Sequence, residues 1–160
     1  MSRALAKSKL HGLDPEARVT LISAGKMAAA MTEVFLGNWR GEIRGGLIAA
    51  PVGELSDRRL QFFRVGHPVP TQESVNAGQR ALELARDSGP SSVLVLLLSG
   101  GASASLSVPA EGMTLESKIQ ATRALLRGGV SIHDINCVRK HLSRIKGGWL
   151  AASTTARTLT

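Results

Sequence analysis

The sequence predicts an α/β domain with a mostly parallel sheet, on three observations. β-branched or apolar runs of strand length recur at residues 18–23, 43–50, 61–65 and 93–98. Stretches with helical spacing of apolar residues lie between most of these runs, giving connections long enough for parallel crossovers. The run 93–98, Val-Leu-Val-Leu-Leu-Leu, is apolar throughout, as expected of a strand covered by helices on both faces. The expected architecture is Rossmann-like, in three layers.

Taken in order, residues 18–23 form the first strand, Ala24-Gly25 a tight turn, and residues 26 to about 36 a run of strong helix formers. A second strand follows over 43–50 and a third over 61–65. Gly66-His67-Pro68-Val69-Pro70 must be a loop, because its two prolines remove two backbone donors. Thr71 caps the next helix, which has Glu73 in its first turn and keeps Val75, Leu82 and Ala85 at helical spacing up to Arg86. Residues 87–92 turn into 93–98, the best candidate for the central strand. After Ser99-Gly100-Gly101-Ala102-Ser103 comes a loop through Pro109 and Gly112. A helix from Thr114 then carries a stripe of Leu115, Ile119, Thr122, Leu125 and Leu126, and Gly128-Gly129 stops it. Ser131 caps a further helix carrying Asn136, Arg139, Lys140, His141 and Lys146, with Val138, Leu142 and Ile145 as its buried stripe; Gly147-Gly148 closes it. Residues 157–160 look like the opening of another strand. Ligands of such sheets bind beyond the carboxyl ends of the strands, so the loops at 24–26, 67–70 and 99–103 are expected to build the site.

Composition narrows the function. A chain of 160 residues, 43% hydrophobic and 20% charged, suits one domain with an ordinary core. Its longest strongly apolar run, 93–98, is far shorter than the roughly 20 residues of a membrane-spanning helix. The single Cys137 closes no intramolecular disulfide and has no Cys/His cluster around it to hold zinc. A cytoplasmic protein is the expectation. Residues 1–13 carry Arg3, Lys7 and Lys9 and no acid before Asp14, which resembles a short organelle presequence and makes a mitochondrial location the alternative. Aromatics are 3% with no tyrosine, so the stacking platforms of single-stranded nucleic-acid binders are nearly missing. Neither nucleic acid nor membrane is an expected partner.

Four features offer chemistry. Lys26 is expected at the first position of a helix, where a cation opposes the macrodipole. Either it is a solvated lysine, or the turn binds an anion through backbone N–H groups with Lys26 adding a mobile charge. The full Walker pattern is missing, because Met27 follows Lys26 and Thr20 stands where its first glycine belongs. Ser99, Gly100, Gly101, Ala102 and Ser103 form either a plain tight turn or a phosphate cradle, in which adjacent glycines admit a ligand and hydroxyls donate to it. His67, stiffened by Pro68, either faces the cleft or satisfies a local carbonyl. His133 and His141 are eight apart and lack the i, i+4 relation of a metal pair, so no metal ligands are expected. Asn136, Arg139 and Lys140 lie on a solvated cationic face or clamp an acidic substrate or polyphosphate. Acids are the weak point, since none ends a strand at the expected cleft.

Together these segments resemble the glycerate kinase family that makes 2-phosphoglycerate, some of whose members carry the name hydroxypyruvate reductase. The resemblance rests on residues 23–28, 66–70, 74–78, 98–104 and above all the long ordered segment 132–148, Ile-His-Asp-Ile-Asn-Cys-Val-Arg-Lys-His-Leu-Ser-Arg-Ile-Lys-Gly-Gly. It extends roughly over Val19 to Ala152. It implies transfer of the γ-phosphoryl of ATP to the 2-hydroxyl of D-glycerate with Mg2+. On that basis Lys26, Arg139 and Lys140 are catalytic, Ser99 to Ser103 bind the nucleotide or its phosphates, and His67 and Asn136 bind substrate. Family members look like two-domain, MOFRL-containing enzymes of more than twice this length. The resemblance therefore implies an N-terminal segment (1–17) and an N-terminal α/β domain (18–160) of a truncated form without the C-terminal domain; catalytic competence and a homodimer stay open.

Two other readings compete. A hydroxypyruvate reductase needs a nicotinamide site, and the chain holds no Gly-x-Gly-x-x-Gly. A non-catalytic basic binding module would rest on charge alone. From Lys118 onward there are 8 basic residues against Asp134 as the single acid, a net of +7 out of the total +8. Because that charge coincides with the segment resembling a substrate and phosphate face, small anions are its expected partners.

Overall fold

A computed structural model describes residue 14 and residues 16–160. The basic segment 1–13 and its presequence-like composition lie outside the described residues. The strands are β1 (Arg18–Ala24), β2 (Ile43–Ala50), β3 (Leu60–Arg64), β4 (Ser92–Leu98) and β5 (Arg157–Leu159). The helices are α1 (Ala28–Asn38), α2 (Gln72–Arg86), α3 (Ala102–Ser105), α4 (Leu115–Arg127), α5 (Ile132–His141) and α6 (Trp149–Ala152). The strands make one sheet in the order β3-β2-β1-β4-β5, and every pairing is parallel.

Alternation along β1 divides the core. Val19 and Leu21 face Phe35 of α1 and Trp39 just after it, whose rings stack with centroids 6.0 Å apart. Ile22 and Ala24 face the opposite cluster, which contains Ala77, Ala81 and Leu84 of α2. One helix therefore covers one face, while α2, together with Leu106, Val108, Ile145 and Leu150, covers the other. The three-layer α/β expectation holds. The expected central strand is corrected: β1 occupies the middle, and β4 lies beside it with the three-residue β5 on its outer side. Two buried interior strands both read as apolar runs, so hydropathy does not rank them.

The chain leaves β1 through α1 to reach β2, and arrives at β4 through α2 on the other face. That reversal opens a crevice between the carboxyl ends of β1 and β4. The two strands end level, with Ala24 paired to Leu98. Thr71 secures the return from β3, its N–H donating to Ser74 Oγ at 3.1 Å and its own Oγ1 accepting from Gly66 N–H at 3.1 Å.

The second half departs from its sequence pattern in two places. Ser131 caps α5 as expected, its Oγ accepting from Asp134 N–H at 3.2 Å. The helix nevertheless ends at His141 instead of continuing to Gly147. There the backbone crosses the segment after α3: Ala110 N–H donates to Leu142 O at 3.3 Å, and Arg144 N–H donates to Val108 O at 3.1 Å. Those cross-chain bonds replace the next helical turn. The expected stripe breaks accordingly, with Val138 exposed, Leu142 half-buried and Ile145 buried off the helix; Ile135 is the residue α5 buries. On α4 the expected stripe holds in part: Leu115, Ile119, Thr122 and Leu125 are half-buried, and only Leu126 departs from it. Thr114 caps it, accepting from Ser117 N–H at 3.0 Å, but Lys118 is its buried residue while Leu126 is 58% exposed. α4 packs against α5 instead of lying flat on the sheet, so its apolar side is covered only in part.

Candidate active site

At the crevice the two strand-ending loops are laced to each other. Gly25 has φ +113°, and its N–H donates to Ala49 O at 3.0 Å. Lys26 N–H donates to Gly100 O at 2.9 Å, Ser99 N–H to Ala24 O at 3.0 Å, and Met27 N–H to Ser99 Oγ at 3.0 Å. Ala28 N–H turns back to Gly25 O at 3.2 Å. This corrects the sequence expectation that the turn's N–H groups receive an anion: they are spent on β2, on the loop after β4 and within the turn itself. It also corrects the helix start, because α1 begins at Ala28 and Lys26 stands in the turn before it. The Lys26 side chain remains as the charge this turn offers. Ser99 and the Gly100 carbonyl are lacing groups, while the Ser103 hydroxyl is turned to Arg139.

Gly101 joins the remaining pieces. Its φ is +93°, and a Cβ there would lie 2.6 Å from His67 Cδ2, 2.9 Å from His67 Nε2 and 3.5 Å from Lys26 Cγ. His67 and Lys26 thus converge over a bare backbone position that no larger residue can occupy. Three loops that are far apart in sequence meet here, as expected for 24–26, 67–70 and 99–103. The His67–Pro68 peptide is cis.

Beside this edge, Ser103 is gripped from α5 and the turn after it. Arg139 Nη2 donates to Ser103 Oγ at 2.9 Å, while Nη1 donates to Asn136 Oδ1 at 3.1 Å. Lys146 Nζ donates to Ser103 O and to Leu106 O, both at 2.7 Å. Two clefts open on either side of this grip. The larger, about 610 Å³, contains Asn136, Arg139, Lys140 and Lys146; the smaller, about 160 Å³, contains Pro68, Lys118, Arg123, Arg139 and Lys146. Neither is lined by an aspartate or glutamate. The electrostatic consequence appears on the lysines. Burial pushes Lys146 down to about 7, with the Lys118 and Arg139 charges adding to the effect. Lys118 falls to about 8, through burial first and Arg139 second.

The domain family described as a domain of unknown function, DUF4147, matches residues 1–160. The chain belongs to the DUF4147 family. It is 37% identical over 138 residues to a protein of Thermotoga maritima named D-glycerate 2-kinase, covering 84% of this chain and 33% of that one. A glycerate 2-kinase of Pyrococcus horikoshii is 33% identical over 84% of this chain and 30% of its own length. A putative hydroxypyruvate reductase of Agrobacterium vitis is 40% identical over 84% of this chain and 35% of its own. The crystal structure of glycerate kinase from Thermotoga maritima superposes with a TM-score of 0.89 at 34% identity, covering 98% of this chain and 38% of that chain. This DUF4147 chain spans about a third of the length of the curated relatives it matches. The family resemblance read from the motifs agrees with these matches.

Within the DUF4147 chain, the predicted site residues fall into two adjoining groups. Lys26, His67 and Gly101 meet at the strand edge, while Asn136, Arg139 and Lys140 line the larger cleft. Ser103 links the groups through Arg139. Lys118 and Ser107 were missed: Lys118 Nζ donates to Ser107 Oγ at 3.1 Å, beneath the Pro68 loop. A lysine flanking an apolar stripe reads as solvated. The available signal was the near-absence of acid after Ser117, which leaves any buried cation there without a carboxylate.

Proposed function

We propose that this chain forms part of an ATP-dependent kinase that phosphorylates D-glycerate at its 2-hydroxyl, giving 2-phosphoglycerate. The observation that carries the reading is the convergence of Lys26, His67 and the Gly100-Gly101 backbone at the β1/β4 crevice, next to acid-free cationic clefts, in a chain whose relatives are named glycerate 2-kinases. In this reading the hydroxyl oxygen forms the new bond to phosphorus, the bond from the γ-phosphorus to the bridging oxygen breaks, ADP leaves and the hydroxyl proton passes to solvent. Phosphoryl transfer has little covalent chemistry for a protein to supply, so positioning and charge dominate. Lys26 supplies positive charge to the transferring group, with Gly100 to Ser103 as the phosphate turn. Arg139 and Lys140 face the acidic substrate or the phosphates, and His67 and Asn136 orient the acceptor.

Magnesium belongs to this reading only through the relatives. Among the described residues no group of three His, Cys, Asp or Glu could hold a metal ion, and no aspartate or glutamate lines either cleft. These residues do not fit the ion, and no step is assigned to it. A cytoplasmic location fits the reading; no described helix is long and apolar enough to cross a membrane.

The reductase alternative has relatives in its favour, such as the Agrobacterium vitis protein named above. Against it, the N–H groups of Gly25, Lys26 and Met27 are already bonded within the protein, where a dinucleotide pyrophosphate needs them free. Incubation with ATP, Mg2+ and D-glycerate, followed by phosphorus NMR, separates the readings. The kinase reading expects 2-phosphoglycerate, lost in Lys26→Ala. Phosphorylation at the 3-position, or NADH oxidation by hydroxypyruvate, overturns it.

A further inference from the structure

We propose that Lys118, Arg139 and Lys146 form a binding site for a small oxyanion, a phosphoryl or carboxylate group, in the cleft beneath Pro68-Val69-Pro70. The site shares Arg139 with the proposed substrate face, and Lys26 does not line it. Lys118 is only 5% exposed, yet its ammonium meets only neutral oxygens: Ser107 Oγ at 3.1 Å and Val108 O at 3.5 Å. Val108 O already accepts from Ser143 Oγ and Arg144 N–H, both at 3.1 Å, so it does not need the lysine. A buried cation without a carboxylate is costly to maintain, and a protein that retains one has a use for the charge.

The neighbours point the same way. Lys146 uses two of its three ammonium donors on the carbonyls of Ser103 and Leu106 and lines the cleft with the third in reserve. Arg139 spends Nη1 and Nη2 donors on Asn136 and Ser103 and retains others from its five. Arg123 completes the cationic wall, Ser103 and Ser107 add hydroxyls, and no acid faces the cleft from α4, α5 or the Pro68 loop. The space, about 160 Å³, matches about five water volumes. It admits one phosphate or a short hydroxy-acid and excludes a whole nucleotide. Burial, and after it the neighbouring cations, lower the affinities of Lys118 and Lys146 for protons, in keeping with a cationic cleft that has no acid in its wall.

Calorimetric titration of inorganic phosphate into the chain near pH 7.5 tests the site. A saturable, Lys118-dependent class of sites is expected, weakened at least tenfold by Lys118→Met and held within about threefold by Lys118→Arg. Displacement of phosphate by D-glycerate names a carboxylate as the group held; indifference to D-glycerate names a phosphoryl group; either keeps the site. If Lys118→Met does not fold, sulfate binding by the wild-type chain at pH 8 still decides. Sulfate takes up no proton there, so binding should draw protons onto the lysines, seen as a heat that varies with buffer ionisation enthalpy. The proposal is overturned by absent phosphate and D-glycerate saturation, by proton-neutral sulfate binding, or by a Lys118→Met chain that binds phosphate as tightly as wild type. In that last case Lys118 is a tether between α4 and Ser107.

Discussion

Replacing Gly25 by alanine tests whether the β1/β4 lacing carries stability as well as the site. The residue sits at φ +113°, where an L side chain costs about 1–3 kcal/mol. The added Cβ also collides with Ser99 Oγ and comes to 2.7 Å from Ser99 O and 3.0 Å from Gly100 O. Backbone cannot yield as a side-chain tip does, so the Ser99-Gly100 turn must move. That movement strains the bonds from Lys26 N–H to Gly100 O and from Met27 N–H to Ser99 Oγ, each contributing about 1 kcal/mol. The total is about 3–5 kcal/mol. For a chain of this size it corresponds to a melting temperature lowered by about 6–20 °C. Gly100→Ala is the internal control: it lies one loop away, with no heavy atom within 4 Å of its built Cβ. Thermal melts by circular dichroism should separate the two variants clearly. If Gly25→Ala melts within about 2 °C of Gly100→Ala, the lacing is not the constraint argued for, and the turn relaxes freely.

Gly37, exposed within α1 and with nothing within 4 Å of a built Cβ, should accept alanine with a gain of about 0.5–1 kcal/mol, read as a higher urea midpoint. Phe35→Ala should cost about 3–5 kcal/mol, because the ring is 1% exposed and stacked on Trp39. Trp39→Phe should stay within about 1 kcal/mol of wild type, since the apolar area it loses is offset by removing a buried indole N–H that has no partner. The lysine cluster sets a pH dependence. Lys146 and Lys118 titrate at about 7 and about 8 in the folded chain against 10.5 when solvated, so the unfolded chain holds more protons across that interval. Stability should therefore rise from about pH 7 toward 10.5, by on the order of a few kcal/mol, with the penalty fully present below pH 7. Urea unfolding at pH 6.5 and pH 9 should show the rise in wild type and lose most of it in Lys118→Met combined with Lys146→Met.

The legible parts of this protein are those governed by local pattern. The apolar runs of β1, β2 and β4, the cap residues Thr71 and Ser131, and the proline loop between β3 and Thr71 all express interactions within a few residues of themselves. The loops that hold Lys26, His67 and Gly101 were legible as site loops because parallel sheets place ligands at strand ends. The errors share a different cause. α5 stops at His141 because Val108 and Ala110 compete for its last backbone groups, and those lie some thirty residues earlier. The turn at Gly25 lost its anion-binding donors to Gly100 and Ser99, partners that no local spacing announces.

The sequence by itself determined an α/β chain, the order of most of its elements, its family resemblance and a segment from Lys118 onward whose charge has almost no internal compensation. Those properties follow from periodicity, turn chemistry and composition, which are additive along the chain. Tertiary structure alone decided that β1 takes the centre, that the β1/β4 crevice consumes its own N–H groups, and that Lys118, Arg139 and Lys146 come together around Ser103 and Ser107. Each of these outcomes depends on which distant backbone or side-chain group fills a given hydrogen bond, and that competition is settled only when the layers pack.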